Sequence, residues 1–380
     1  AAVLTIAVVS RPALAQAPFL RTADGVLEFV ANTGDGTVSV TDRLNDAPLS
    51  RSLVCPGPTL GALTPDEVSL LVLCGGSNEL VFLNTAAFDV TGRVALSGRP
   101  ASVTLTGDRA HAEVNAQDGT RVGLVSLSTQ KAVDRIEPPA PPAAPSRKNE
   151  LIFLGMIHGE HRTSSLFSLE VLRKMVIAIR PDHWLTEIPP NRLARATEEF
   201  ARIGAVVEPR VTRFPEYVDV LFPLLANEGF TVHGTAGWSH PMDRYRRERL
   251  AAIAKDPART ADWRAYQNAL AAGEKALAAG GAADDPRWIH TDAYDRAQRV
   301  ALDVCNARFD KELGTGGWDT INKAHFANIT RVLDSLEGQG VRILITYGAG
   351  HKSWMLPRLR ERTDITLLEV GPFLDAATAR

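Results

Sequence analysis

Hydrophobic and polar positions follow two different patterns along the chain, and the change comes near residue 140. Before it, short segments alternate apolar and polar residues, which is typical of antiparallel strands with one solvated face. After it, continuous apolar runs such as 151–154 and 343–345 alternate with segments whose apolar residues recur every three or four positions. Buried parallel strands and amphipathic helices produce this second pattern. The chain is therefore predicted to have two domains, one all-β and one α/β.

The all-β part contains an internal repeat. A strand, a tight turn and a second strand at 29–42 recur at 71–84 and, more weakly, at 112–127. A period of roughly 40 residues filled with short strands is typical of propeller blades. We therefore predict a partial propeller of about three blades over residues 20–137, although a closed ring takes about four to eight blades. Its open edges would be liable to pair, so they are expected to be covered by the second domain, by further sequence, or by a protein partner or a second copy.

The second part, residues 150–380, is predicted to be a mostly parallel sheet covered by helices on both faces. Strands are predicted at 151–154, 183–188, 230–233, 341–347 and 365–370. Helices are predicted at 163–180, 192–203, 218–227, 242–279, 292–312, 319–336 and 352–362. The Arg- and Ala-rich segment 242–279 is expected to be a solvated helical insertion.

Two further segments set the boundaries of these parts. Residues 138–149 begin with a Pro/Ala-rich run that indicates a semi-rigid linker. Residues 1–17 form an apolar run that ends in Ala13-Leu14-Ala15, the pattern of a signal peptide. This predicts an exported protein, periplasmic or extracellular, with no membrane span in the mature chain. Export would permit a disulfide between Cys55 and Cys74. The alternative, two reduced and buried cysteines, stays open.

Composition narrows the function classes. The net charge of −2 gives no basic excess, which argues against nucleic acid as a partner. Charged residues make up 23% of the chain and apolar residues 45%, as in ordinary globular proteins. Composition alone does not point to a substrate; the expected small-molecule ester or peptide follows from the site residues described next.

Candidate catalytic and metal-binding side chains follow three predicted strands in the second part. His158 and His351 each lie in a Gly-x-x-His turn that follows an apolar strand, and Glu187 ends a third strand before two prolines. Parallel strands point their carboxyl ends at one edge of a sheet, so these side chains are expected to face one crevice. Glu160 and His161 lie beside the first turn.

Two imidazoles and a carboxylate suit Zn, Mn, Co or Fe. An ion held by His158, Glu187 and His351 would keep open positions and support hydrolysis. Glu160 or His161 would then act as a general base or an extra ligand. Without an ion, a His–Glu pair would activate water directly. The structural alternative, in which both histidines only bond backbone groups, stays open at this point.

These residues resemble a superfamily that joins the TraB, Tiki, ChaN and erythromycin-esterase proteins, over roughly residues 150–372. The resemblance is carried by Gly155-x-x-His158, Glu187, Gly348-x-x-His351 and the segment 326–329, and residues 30–40 resemble YVTN-type propeller repeats. The Tiki branch implies a protease that uses Mn, Co or Zn held by the two histidines and the glutamate.

Other branches of the superfamily imply two alternatives. Erythromycin esterases imply a metal-independent His/Glu esterase, and ChaN-like members imply a haem- or metal-binding protein without turnover. The chain departs from TraB-like proteins at Ile321-Asn322, where those proteins tend to carry an arginine. Arg210 or Arg331 would have to take over that role.

Overall fold

The computed structural model describes residues 19–379, except for 24, 44–45, 86–87, 137–146 and 238–239. The predicted signal segment 1–17 and most of the predicted linker 138–149 lie outside the described residues. None of the described helices combines enough length and apolar character to cross a membrane.

The first region consists of short antiparallel strands joined by tight turns. The strands are β1 (Phe19–Arg21), β2 (Leu27–Asn32), β3 (Thr37–Asp42), β4 (Ala47–Leu53), β5 (Pro58–Leu63), β6 (Ser69–Cys74), β7 (Glu79–Asn84), β8 (Val90–Ala95), β9 (Ser102–Leu105), β10 (His111–Asn115), β11 (Arg121–Ser126) and β12 (Lys131–Ala132). Within the described residues they form three four-stranded sheets, β1–β4, β5–β8 and β9–β12, in chain order. The prediction of an all-β, propeller-like region is confirmed at this level.

The position of each sheet explains how its strands are patterned. Leu70 and Val72 of β6 pack with the core residues of the first sheet, whereas Leu71 and Leu73 pack with those of the third. The middle sheet is therefore buried on both faces, and β6 is apolar throughout. In contrast, β2 alternates buried and partly buried residues because one of its faces is less covered.

A disulfide joins the first two sheets. Cys74 ends β6, Cys55 follows β4, and their Cα atoms lie 5.9 Å apart. The structure thus decides between the two alternatives that the sequence left open. Cys305 is a buried free thiol in the second region.

The second region alternates strands and helices. Its strands are β13 (Asn149–Met156), β14 (His183–Thr186), β15 (Thr231–Gly234), β16 (Arg342–Gly348) and β17 (Ile365–Leu367). Its helices are α1 (Leu169–Ile179), α2 (Pro190–Ile203), α3 (Phe222–Glu228), α4 (His240–Lys255), α5 (Thr260–Gly280), α6 (Pro286–Ile289), α7 (Asp292–Leu313), α8 (Trp318–Ser335), α9 (Ala349–Arg360) and α10 (Gly371–Thr378).

The strands of this region form one parallel sheet in the order β15-β14-β16-β13-β17 among the described residues. Successive side chains of β13 point to opposite faces. Leu151 and Phe153 therefore join the core that contains α8 and α9 residues, whereas Ile152 and Leu154 join the core with α1. The predicted sheet covered by helices is confirmed at this level.

Several predicted bounds change, each for a local reason. The helix expected at 163–180 begins at Leu169, because residues His158–Arg162 form a 3₁₀ turn and the Ser168 side chain caps α1. The helix expected at 218–227 is replaced by a π-helical turn at Glu216–Leu221, followed by α3. The insertion expected at 242–279 forms two helices, α4 and α5, and it shares a small core with α7, in which Ile253 packs with Phe309.

Candidate active site

The sheet places the two Gly-x-x-His turns side by side. β13 and β16 are adjacent parallel strands, and Met156 pairs with Gly348 at their carboxyl ends. Both histidines therefore leave the sheet at the same edge, as the sequence predicts.

His158 occupies the first turn in an uncommon backbone conformation. Its φ is +50°, in the left-handed region that non-glycine residues rarely adopt. Its side chain is 35% exposed, and Nδ1 lies 2.7 Å from Oε1 of Glu216. Because a carboxylate only accepts hydrogen bonds, Nδ1 donates the proton. In the neutral ring Nε2 is then left with a free lone pair.

His351 occupies the second turn and differs in its surroundings. It lies in the first turn of α9, its side chain is 12% exposed, and Nδ1 lies 2.8 Å from Oδ1 of Asn322. The amide group of Asn322 is oriented by its Nδ2, which donates to the Trp318 carbonyl oxygen at 2.8 Å. Nδ1 of His351 is therefore the donor, and Nε2 carries the lone pair. The Trp318 ring stacks on the imidazole at 4.6 Å between centroids.

Glu187 lies between the two imidazoles, directly after β14. Its Oε2 is 3.8 Å from Nε2 of His158, and its Oε1 is 3.7 Å from Nε2 of His351. The Gly348 amide donates to Oε2 at 2.8 Å, and the backbone amide of Glu187 donates to the Tyr217 hydroxyl at 2.8 Å. These bonds fix both the strand end and the carboxylate.

A glycine is required at position 348 because the His158 ring lies close to the backbone there. A Cβ atom built on Gly348 would lie 2.6 Å from Nε2 of His158, closer than real contacts allow. The glycine of the second motif therefore makes room for the histidine of the first. The sequence could not show this dependence, because the two positions are distant in the chain.

The pKa values of His158 and His351 are shifted in opposite directions. Burial disfavours the charged form of His158, but its hydrogen bond to Glu216 and the charge of Glu187 outweigh this and raise the pKa to about 9. Burial dominates at His351 and lowers its pKa to about 3, against the attraction of Glu187.

The structure places the other two predicted site residues away from this cluster. His161 is buried, its Nδ1 donates to the Phe167 carbonyl oxygen at 2.7 Å, and its Nε2 accepts from the Ile157 amide at 3.2 Å. Both ring nitrogens are therefore engaged by backbone groups. Glu160 is exposed beside the turn and lines the edge of a neighbouring cavity.

His290 supports the first turn and was not identified from the sequence. Its Nδ1 donates to the Pro286 carbonyl oxygen at 2.7 Å, and its Nε2 accepts from the Gly155 amide at 3.0 Å. Burial lowers the pKa of His290 to about 4, so the ring stays neutral and keeps both bonds.

His325 is a fourth polar group at the site that sequence reasoning missed. One ring nitrogen of His325, one of His351 and a Glu187 oxygen lie within 4.8 Å of one another. A signal for it exists in the sequence, since Trp318, Asn322 and His325 are spaced four and three residues apart on α8 and so share a helix face.

Two cavities meet at the histidine pair. One of about 300 Å³ is lined by both histidines and by Glu187, Arg210, Arg213, Phe214, Asp243 and others. A second of about 380 Å³ shares His158, His351 and Trp318 with the first, and its far wall is formed by residues that include Leu277, Trp288 and Tyr294. The site thus lies inside a cleft with a charged side and a more apolar side. Of the two arginines considered above, Arg210 lines this cleft, whereas Arg331 lines a separate cavity against the first region.

The donor set fits a divalent ion. His158 and His351 each commit Nδ1–H to an oxygen, so that Nε2 faces Glu187. At His158, whose pKa is raised to about 9, an ion would have to displace the Nε2 proton. Oriented imidazoles with outer hydrogen-bond partners and a carboxylate are typical of transition-metal sites. Ligand atoms about 2.0–2.2 Å from one ion can lie up to roughly 4 Å apart. The separations of 3.8 and 3.7 Å satisfy this condition for each histidine with its nearest Glu187 oxygen. The compact group of possible ligand atoms, all within 4.8 Å of one another, consists instead of Glu187, His325 and His351.

Comparisons with known proteins add little to this picture. No family model and no curated protein matches the chain. Solved structures with weak similarity include Kuenenia stuttgartiensis hydrazine synthase, with a TM-score of 0.29 and 16% identity over 30% of this chain and 33% of that one. The dihydro-heme d1 dehydrogenase NirN in complex with DHE has a TM-score of 0.27 and 11% identity over 33% of this chain and 28% of that one. The β-propeller domain of Myceliophteria thermophila Cps50 (Swd1) has a TM-score of 0.26 and 15% identity over 32% of this chain and 42% of that one. Each match spans less than half of the other chain, and the scores are too low to support an argument about function.

Proposed function

We propose that this protein is a hydrolase of ester or peptide bonds that uses a divalent ion, Mn²⁺, Co²⁺ or Zn²⁺, held by His158, Glu187 and His351. The observation that carries the proposal is the convergence of two imidazole Nε2 atoms on the two oxygens of one carboxylate, at 3.8 and 3.7 Å. The resemblance of these motifs to the Tiki branch supports the same assignment.

Each residue has a distinct task in this proposal. The bound ion would supply Lewis acidity that activates water and polarises a carbonyl group. Glu216 and Asn322 hold the two imidazoles in one tautomer and orientation. The Gly348 amide keeps the Glu187 carboxylate turned toward both histidines.

The cleft suits a substrate that extends to both sides of the reacting bond. Arg210 and Arg213 give one side positive charge, and Leu277 and Trp288 give the other an apolar wall. An ester or peptide with a polar group on one side and an apolar group on the other matches these walls.

We also propose that sheets β1–β12 are three blades of an incomplete propeller that binds a protein partner or a second copy. The Cys55–Cys74 disulfide supports the proposal that the protein is exported, because such bonds persist in oxidising compartments.

A metal-independent hydrolase is the second candidate, because His158 lies between the carboxylates of Glu216 and Glu187. In that case the imidazolium of His158 would act as a general acid.

Metal analysis of the full chain separates the two candidates. The purified protein would be stripped with a chelator, reloaded with Mn²⁺, Co²⁺ or Zn²⁺, and assayed on p-nitrophenyl acetate and a fluorogenic peptide. We expect about one ion per chain in the wild type, a loss of ion and activity in His351→Ala, and no change in the control Glu160→Gln. Activity that survives complete removal of metal would favour the second candidate. A Soret band on addition of haem, without hydrolysis under any condition, would instead favour a haem-binding protein.

A further inference from the structure

His325 carries a polar atom that the described structure leaves unpaired. The residue is 1% exposed, and its Nε2 has no hydrogen-bond partner among the described residues. A buried polar nitrogen without a partner is costly and rare, so such an atom indicates a ligand or a role.

The backbone fixes the tautomer of this ring. The Gly237 amide donates to Nδ1 of His325 at 2.8 Å, so Nδ1 must present its lone pair. In the neutral imidazole the proton is then on Nε2. His325 is therefore a donor toward the site, the reverse of the neutral ring of His351, whose Nε2 carries a lone pair.

The hydrogen bond from Gly237 to His325 requires a glycine at position 237. A Cβ atom on Gly237 would lie 2.5 Å from the carbonyl carbon of Ala324 and 2.6 Å from its Cβ. Only a residue without a side chain lets the loop approach α8 closely enough to donate to His325.

The groups around His325 define the ligand that it would hold. The ring edge packs on Tyr347 and His351, at 5.2 and 5.0 Å between centroids. The three-residue cluster combines one ring nitrogen of His325, one of His351 and a Glu187 oxygen, all within 4.8 Å of one another, and the unpaired Nε2–H of His325 is the donor among these residues. An oxygen atom about 2.8 Å from two of these atoms fits between them, because hydrogen bonds to oxygen have that length.

A donor beside a carboxylate acceptor matches a water molecule. Water can accept the proton of His325 and give one of its own protons to Glu187, while the lone pair of His351 would bind the ion. A carbonyl or carboxylate oxygen has no protons to give and would face the Glu187 carboxylate, so it fits this position worse.

We propose that His325 is a catalytic residue, a fixed N–H donor that orients the attacking water between itself and Glu187, and that it is not a metal ligand. This inference rests on the proposed hydrolase function. As the water oxygen bonds to the carbonyl carbon, one water proton passes to Glu187. That proton moves to the leaving oxygen or nitrogen when the second bond breaks, so atoms and charge balance.

The tautomer can be tested without any assay of activity. In the full chain labelled with ¹⁵N-histidine, the resonances of His325 would be assigned by their loss in His325→Gln. We expect Nε2 to carry the proton and to keep it when Zn²⁺ is added. A proton on Nδ1, or loss of the Nε2 proton as Zn²⁺ binds, would make His325 a ligand and overturn the proposal. Gly237→Ala should remove the fixed preference for one tautomer.

Kinetics test the catalytic role. His325→Phe keeps a buried ring without the donor, and we expect kcat to fall roughly 100-fold, with KM and metal content nearly unchanged. His325→Gln, which retains an N–H group, should recover part of the loss. The matched control Lys323→Gln, on the exposed side of α8, should behave as the wild type.

Three results separate the possible failures. An unchanged kcat in a folded His325→Phe would refute the role of the donor. A parallel loss of metal would show a ligand instead. If the wild type hydrolyses neither substrate, the proposed function fails, and the NMR result still decides whether His325 is a donor or a ligand.

Discussion

The two Gly-x-x-His turns share a motif and a sheet edge but differ in almost every contact. His158 is partly exposed, lies in a left-handed conformation and pairs with a carboxylate, Glu216. His351 is nearly buried, begins a helix, stacks on Trp318 and pairs with the amide of Asn322. The pKa of the first histidine is raised to about 9, and that of the second is lowered to about 3.

This difference shows that the Gly-x-x-His motif determines where each imidazole lies, whereas its hydrogen-bond partners determine its protonation. The glycine and the spacing bring each imidazole to the carboxyl edge of the sheet. The partners come from elsewhere, since Glu216 is 58 residues from His158 and Asn322 is 29 residues from His351. Identical motifs can therefore carry a charged and a neutral imidazole in one site.

Removing the carboxylate that both turns share should have the largest effect. Glu187→Gln keeps the shape and an acceptor for the Gly348 amide, but it removes the charge between the two histidines. We expect hydrolysis to fall at least about 10³-fold, with loss of bound ion. Metal content and kcat would be measured together, with Glu160→Gln as the matched control. Full activity in Glu187→Gln would contradict the shared-carboxylate site.

Changing the partner of each turn separately should show unequal effects. Glu216→Gln gives the first turn an amide partner like that of the second, and we expect metal affinity to fall roughly 10- to 100-fold. Asn322→Ala removes a neutral acceptor, and we expect a smaller loss of about 3- to 10-fold. Isothermal titration with Zn²⁺ would measure both. A larger loss in Asn322→Ala would reverse the comparison.

The first turn should also make the protein sensitive to acid, because Gly155 donates to the neutral ring of His290. Burial lowers the pKa of His290 from 6.5 to about 4 in the folded state. The stability that this group contributes is thus complete above pH 6.5 and is lost as the pH falls toward 4. The wild type should lose up to about 1.4 kcal/mol of unfolding free energy per pH unit more than His290→Gln.

Tryptophan fluorescence would report this transition, because all six Trp lie between residues 184 and 354. His111→Gln in β10 is the control and should leave the curve unchanged. Equal slopes in the wild type and His290→Gln would show that His290 does not couple the first turn to pH.

The smallest expected effect concerns the ring on which His351 stacks. Trp318→Leu removes a contact at 4.6 Å and 20° between planes, and we expect a loss of about 0.5–1.5 kcal/mol, or roughly 2- to 10-fold in kcat/KM. Phe214 touches His158 at 5.1 Å in a tilted arrangement, so Phe214→Leu should cost less. If Phe214→Leu costs as much, the stacking on His351 has no special role.

Much of the fold was predictable because it follows from local periodicity. The repeat at 29–42 and 71–84 corresponds to strand pairs in successive sheets, and the apolar runs at 151–154 and 343–345 lie in adjacent parallel strands. The 3₁₀ turn at His158–Arg162 and the π-helical turn at Glu216–Leu221 were missed, because their backbone conformations depend on packing rather than on periodicity.

The sequence by itself predicted that two histidines and one glutamate follow apolar strands and would meet if those strands were parallel, because strand patterns and motif spacing are local properties. Tertiary structure alone decided which nitrogen of each imidazole carries its proton. Glu216, Asn322 and the Gly237 amide make that choice for His158, His351 and His325, respectively. Their contacts depend on how distant elements pack, and such contacts leave no periodic trace along a single chain.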